Sequence, residues 1–266
     1  MRLKHRVSFG GVQLDSLDSR ILISGVEEEE VSEKVTAVTA AFGSGSRVSG
    51  RRRDSLRVTV RFQLAIKPTA MAERSELLEK INAWAMNPAW LRLNYRPGRQ
   101  IYCFCSSAPG GGDAFKLDQE YSMVFSAYSQ PYWVDQTLTT ITTKSGKERT
   151  VSLDVPGNTE TVVQTVKVTN KSGAVINTLS IEAGSSIFEF SDLGMEANDE
   201  IVIDHPLSWK TFYLRIRKIG DKTVSIMGKR SDTSSDDLYV NPGKQEFTIK
   251  AQRAVVATIN LRGRYV

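Results

Sequence analysis

One stretch constrains this chain more than any other. Over residues 57–66, Val58, Val60, Phe62, Leu64 and Ile66 alternate with Arg57, Thr59, Arg61, Gln63 and Ala65. Successive side chains of an extended backbone point to opposite faces, so the pattern predicts a half-buried strand and excludes a helix at that place. Shorter alternating or β-branched runs occur at residues 20–24, 31–42, 90–95, 101–106 and 121–128, separated by Gly, Pro, Asp and Ser clusters. The first half therefore reads as mostly strand. One segment breaks the rule. Between residues 69 and 87, Met71, Leu77, Leu78, Ile81, Trp84 and Ala85 recur at helical spacing, with Glu73, Arg74, Glu76, Glu79 and Lys80 on the other face. Thr69 is the expected N-cap and Asn87-Pro88 the expected stop.

After Pro131-Tyr132-Trp133 the composition shifts to Thr, Ser, Lys and Gly through residues 136–149, with a turn signal at Lys144-Ser145-Gly146-Lys147. This shift predicts an N-terminal domain over 1–135, a linker over 136–149 and a second domain over 150–266. In the second domain, runs at 151–155, 162–169, 179–182, 187–190, 200–203, 212–217, 223–226, 245–251 and 255–261 follow one another at the spacing of a β-sandwich or jelly roll. The expected fold class is mainly β: an α+β domain of sheets with one amphipathic helix, followed by a β-sandwich. A length of 266 residues with 40% hydrophobic and 24% charged side chains suits two packed domains.

The same residues bound the chemistry. No apolar run approaches the roughly 20 residues that span a bilayer, and the basic residues 1–6 lead into Ser8, Gly10, Gly11 and Gln13, so neither membrane insertion nor export is expected. The 35 basic and 30 acidic residues leave a net +5 spread along the chain, which suits solubility better than sequence-specific nucleic-acid binding. Cys103 and Cys105 are expected as free thiols, too close along a strand for a disulfide and too few for a structural zinc site. His205, beside Asp204 and near Ser208, is expected in a turn around Pro206, and His5 on the surface. Residues 43–50 and 109–113 miss the spacing of nucleotide-binding glycine loops and read as flexible loops. No catalytic residue, cofactor site or metal site is assigned.

Two charge runs remain. Glu27, Glu28, Glu29 and Glu30 read as a solvated loop or as a face toward a cationic partner. Arg51, Arg52 and Arg53 are expected to crowd the start of the alternating strand. Opposite runs in neighbouring loops would suit head-to-tail pairing of identical subunits, which makes these seven residues subunit-interface candidates.

The order of features resembles the N-terminal domain of phage distal tail proteins, the Dit family of baseplate hubs. The resemblance rests on Arg20-Ile21-Leu22-Ile23, a glycine-bearing loop, the alternating strand, and a helix ending in Ile81-Asn82-Ala83-Trp84. It continues through residues 90–95, 101–104 and 121–132, where Gln130 stands in place of the acidic residue of the family's Asp-Pro-Tyr-like corner. The second half is similar to the family's galectin-like sandwich, and Asn260-Leu261-Arg262-Gly263-Arg264-Tyr265-Val266 looks like its basic-aromatic ending. The resemblance implies a non-enzymatic, cofactor-free virion protein of the tail tip or baseplate, assembled in the host cytoplasm. Its homo-hexameric ring would join tail tube, tape-measure and tail-tip hub proteins, with the genome passing through the lumen and a receptor-binding protein as a further candidate partner. The alternative is a lectin-like tail module that recognises host glycans through the second domain, with Trp209, Phe212 and Tyr213 as candidate glycan contacts. Aromatic residues of a sandwich more often fill its core.

Overall fold

The alternating stretch forms a strand over Leu56–Leu64 in which Leu56, Val58, Val60, Phe62 and Leu64 are buried while Arg57, Arg61 and Gln63 face solvent. It belongs to a computed structural model that describes residues 4–29, 33–39, 46–115, 120–128, 130–204, 214–219 and 222–266. The chain divides into two units, Met1–Tyr132 and Trp133–Val266.

In chain order the first unit contains β1 (Val7–Phe9), β2 (Val12–Gln13), β3 (Ile21–Glu28), β4 (Glu33–Thr39), β5 (Ser46–Arg53), β6 (Leu56–Leu64), α1 (Met71–Ala85), β7 (Ala89–Leu93), β8 (Arg99–Ser107) and β9 (Glu120–Ala127). Its main sheet is antiparallel, in the order β2-β1-β7-β8-β9-β6-β3, and β4 with β5 forms a separate hairpin. One sheet face is apolar because β6 and β9 run in matching phase. Val58 stands opposite Phe125, Val60 opposite Met123 and Phe62 opposite Tyr121, all buried. The helix covers that face with Leu77, Leu78, Ile81 and Ala85. Trp84 packs edge-on against Phe9 and Phe125 at 5.6 and 6.1 Å, and Phe9 lies 4.9 Å from Phe125. Arg74, on the face read as polar, is instead buried: its guanidinium donates to the Tyr121 hydroxyl and lies over that ring.

Several local readings are corrected. Thr69 does not cap α1; Ala70 occupies the cap position, with no side-chain hydrogen bond. Residues 46–50, read as loop, form the first part of β5, and residues 111–115 form a 3-10 turn (Gly111–Phe115). Arg51, Arg52 and Arg53 end β5 in register with Val35, Lys34 and Glu33, because β4 supplies a partner strand that local sequence could not reveal. Glu27 and Glu28 belong to β3 itself.

The second unit contains β10 (Trp133–Asp135), β11 (Thr139–Thr142), β12 (Gly146–Val155), β13 (Thr161–Asn170), β14 (Leu179–Ala183), β15 (Ser186–Phe190), β16 (Glu200–Asp204), β17 (Leu214–Ile219), β18 (Lys222–Ser225), β19 (Tyr239–Val240), β20 (Gly243–Leu261) and β21 (Arg264–Tyr265). The two runs at 245–251 and 255–261 are one strand of 19 residues. Its first half pairs with β12 and β14, its second half with β11 and β13. Gln252, Arg253 and Ala254 interrupt the hydrophobic pattern where the strand passes from one set of partners to the other. The buried phase is kept from Phe247 and Ile249 to Val255, Ala257, Ile259 and Leu261. Residues 136–149, expected as a linker, include β11 and the start of β12, both paired with β20. Their Thr-rich composition suits an outward face: Thr140 donates to Asn260 at 2.7 Å, and the hydroxyls of Thr142 and Thr258 lie 3.1 Å apart.

The core of this β-sandwich is built from inward side chains such as Val166, Val168, Ile181, Phe188, Ile201, Phe247 and Ile259. The chain end is held within the same unit. Asp135 accepts from the Gly263 amide and the Tyr265 hydroxyl, both at 3.0 Å, and β21 pairs with β10. Gly157 is required beside this seam: at φ +119 a Cβ would sit 2.5 Å from the Arg264 carbonyl oxygen.

Candidate assembly surface

An extended strand with one unpaired side exposes a row of backbone donors and acceptors, and proteins normally cover such a row or use it. The two units treat their edges differently. In the second unit, β15 is covered by the segment that follows the Met227–Lys229 turn. Ser234 Oγ accepts from the Glu189 amide at 2.8 Å, Ser235 Oγ accepts from the Ile187 amide at 3.0 Å, and the Ser231 and Ser235 amides donate to the Glu189 and Ile187 carbonyls. In the first unit, β3 pairs with β6 on one side, and among the described residues no strand covers its other side. The edge is eight residues long and carries Leu22, 45% exposed. A register shift between Ile23 and Gly25 bends it.

Glu27 and Glu28 lie on this edge strand and Glu29 directly follows it. Glu27 meets Arg61 at 2.9 Å and Glu29 meets Arg57 at 3.8 Å, on the polar face of β6. Glu28 turns the other way: Arg96 grips it through two nitrogens at 3.0 and 2.8 Å, and the Tyr95 hydroxyl donates to it at 2.9 Å. Burial, with the Glu28 carboxylate beside it, pushes the Tyr95 phenol well above its ordinary value. Three of the four glutamates thus have cationic partners in their own chain, where the sequence reading had a solvated loop or a face toward a cationic partner. Arg57 and Arg61 were visible as the polar phase of the strand. Arg96 was not, because a partner 68 residues away leaves no local signal.

Arg53 lies over the Tyr132 ring, 4.9 Å from its centre. Glu30, His205, Trp209, Phe212 and Tyr213 lie outside the described residues, as do the side chains of Arg51 and Arg52. The outer face of the sheet also carries two aromatic pairs that sequence reasoning missed. Trp90 packs edge-on against Tyr102 at 5.3 Å, and Phe104 stacks on Tyr128 at 5.4 Å.

Little here has the form of a reaction centre. Among the described residues no three His, Cys, Asp or Glu side chains gather as metal ligands would, and both cysteines are free thiols. Desolvation drives the Cys103 thiol far above its ordinary pKa and raises Cys105 as well, so neither is tuned as a nucleophile. Among the described residues no helix is long and apolar enough to cross a membrane.

No family model matches the sequence, and no curated protein matches it. Solved structures do. Over 97% of this chain and 98% of the other, the fold superposes on the SPP1 Dit protein, described as a paradigm of the hub adsorption apparatus in phages infecting Gram-positive hosts, with a TM-score of 0.66 at 12% identity. Two structures of the phage p2 baseplate in its activated conformation, with Sr and with Ca, each match at a TM-score of 0.51. Identities are 7% and 8%, over 97% and 99% of this chain and 97% and 98% of the other. The fold is therefore that of phage baseplate hub proteins, at sequence identities where only the fold is held in common.

Proposed function

We propose that the chain is a Dit-type hub of a phage tail, a structural and non-enzymatic virion protein. Six copies would close into a ring through the first unit, joining the tail tube to the tail tip or baseplate. The ring would contact tube, tape-measure and tail-tip hub proteins and leave a lumen for the genome. The second unit would serve as the outer attachment point for peripheral or receptor-binding proteins. The observation that carries this reading is the correspondence with the SPP1 Dit fold over nearly the whole of both chains.

The open edge of β3 supports it physically. A closed ring needs a heterologous contact repeated around an axis, and an unpaired strand beside paired charges offers one. The in-chain partners of Glu27 and Glu29 do not forbid a role at that contact. Both carboxylates are more than half exposed, at 59% and 56%, and exposed ion pairs contribute about 0–1 kcal/mol, so exchanging Arg57 or Arg61 for Arg51, Arg52 or Arg53 of a neighbour costs little.

Native mass spectrometry and negative-stain imaging test the proposal. Six-fold rings are expected from the purified protein or from the protein co-expressed with its tube and tip proteins. A monomer under both conditions overturns it.

A further inference from the structure

Covering β15 leaves the opposite margin of the same sheet open. β20 pairs with β14 through one side and with β12 through the other, and among the described residues no strand pairs with the far side of β12. That margin is ten residues long, and from Glu148 to Val155 it stays in unbroken register with β20. Proteins usually blunt such an edge with charge, a bulge, a proline or a cover. Here the devices sit only at its start. The register shift falls between Gly146 and Glu148, the charges are those of Lys147, Glu148 and Arg149, and Arg149 folds back onto the Ser145 carbonyl, with Nε at 3.2 Å and Nη2 at 2.9 Å. From Thr150 to Leu153 the strand carries no charge, bulge or proline. Both of its faces are unfinished there. Val151 stands beside the fully buried Phe247 of β20, yet Val151 and Leu153 are only partly buried against the core, and a further strand would cover both. On the opposite face Ser152 and Asp154 are exposed, and Asp154 makes no ion pair or hydrogen bond with any described residue, although Lys244 stands opposite it on β20.

We propose that β12 takes up an extended segment of another protein as an added antiparallel strand, with apolar side chains over Val151 and Leu153 and a lysine or arginine opposite Asp154. Main-chain hydrogen bonds along the open side supply affinity, and the alternating side chains supply specificity. A second copy of β12 is the poorer occupant. Antiparallel pairing keeps each face of one strand beside the same face of the other, so Asp154 of one copy meets Gly146, Glu148, Thr150, Ser152 or Asp154 of the next and never a cation. The β15 margin cannot serve in its place, because Ser234 and Ser235 already occupy its amides. The inference rests on the reading of the second unit as an attachment point for peripheral proteins. Its failure leaves the ring, which imaging tests separately, untouched.

The test titrates the full chain into a fluorescein-labelled peptide, Thr-Lys-Val-Thr-Val-Thr-Glu-Lys, which in antiparallel register runs from opposite Val155 to opposite Glu148, and follows fluorescence anisotropy. Saturable binding is expected. Asp154→Lys, an exposed change, weakens it about fivefold, and a peptide with glutamate in place of its first lysine restores it. Successive amides of a strand point to opposite sides, so N-methylation of alternate peptide residues abolishes binding in one phase and leaves it in the other. Four results each overturn the proposal. They are no saturable binding, binding undiminished by Asp154→Lys, the same response to both N-methylation phases, and hydrogen exchange in which both alternate sets of β12 amides are protected before peptide is added, which would give the edge to a second copy.

Discussion

Arg96 holds Glu28 with Nε at 3.0 Å and Nη2 at 2.8 Å, and this pair ties the loop between β7 and β8 to the open edge strand β3. Both side chains are mostly shielded, at 27% and 17% exposure, so the interaction is stronger than an ordinary surface ion pair. Arg96→Ala is expected to cost about 1 kcal/mol in urea unfolding and to speed amide exchange along β3 more than along β6. Equal exchange in the two strands would show that the pair does not anchor the edge.

Asn170 is a second anchor, wholly inside the sandwich. Its amide donates to the carbonyls of Ala174, Met195 and Glu196 at 2.9, 3.0 and 3.0 Å, while its oxygen accepts from Ser172 N and Oγ at 2.8 and 2.7 Å. Asn170→Ala removes all of these hydrogen bonds, although each of the three carbonyls keeps another donor, in Ser172 Oγ, Ile176 N and Asp199 N, and it is expected to cost about 2 kcal/mol. Asn170→Asp is not expected to rescue it, since a carboxylate would face three carbonyl oxygens with nothing to donate. Chemical denaturation of both variants decides the matter.

Phe125 touches Phe9 and Trp84 and joins sheet to helix in the first unit. Truncation to Ala should cost about 3–5 kcal/mol, the usual range for a buried aromatic. Near-ultraviolet circular dichroism during unfolding is expected to show earlier loss of the tryptophan signal from Trp84.

Arg20 donates to both carboxylate oxygens of Asp18, and this hydrogen bonding holds Asp18 at about 2, below the ordinary carboxylate range. The depressed value fixes the sign. The contribution to stability is present above the unfolded value of about 3.9 and is lost as pH falls through about 2. Carboxyl carbon NMR is expected to show Asp18 titrating near the bottom of the range, and Arg20→Gln to return it toward ordinary values.

Ser234 and Ser235 cover the β15 edge amides. Replacing both with Ala is expected to cost about 1–2 kcal/mol and to increase self-association, because an uncovered edge is a template for pairing. Light scattering against the parent protein measures the second effect.

The alternation at 57–66 was sufficient to place β6 and its buried face, and helical spacing placed α1 to within two residues at each end. Both are local patterns, in which burial repeats with the period of the backbone itself. Turn spacing likewise marked most strands of the second unit and hence its sandwich class. Beyond that, long-range pairing decided. The glycine-bearing residues before β6 became strand because β4 lies beside them, the apparent linker became strand because β20 has room on its flank, and Gln252, Arg253 and Ala254 did not break β20 because partners continue on both sides. The assembly surface and the side-chain rows across the second unit's sheet were least legible of all. The sequence marked a run of four glutamates, but which of them meets Arg57, Arg61 or Arg96, and that Ser180 stands between Lys250 and Glu189, follow only from strand register. Register is fixed by contacts between residues tens of positions apart, and no local period encodes it.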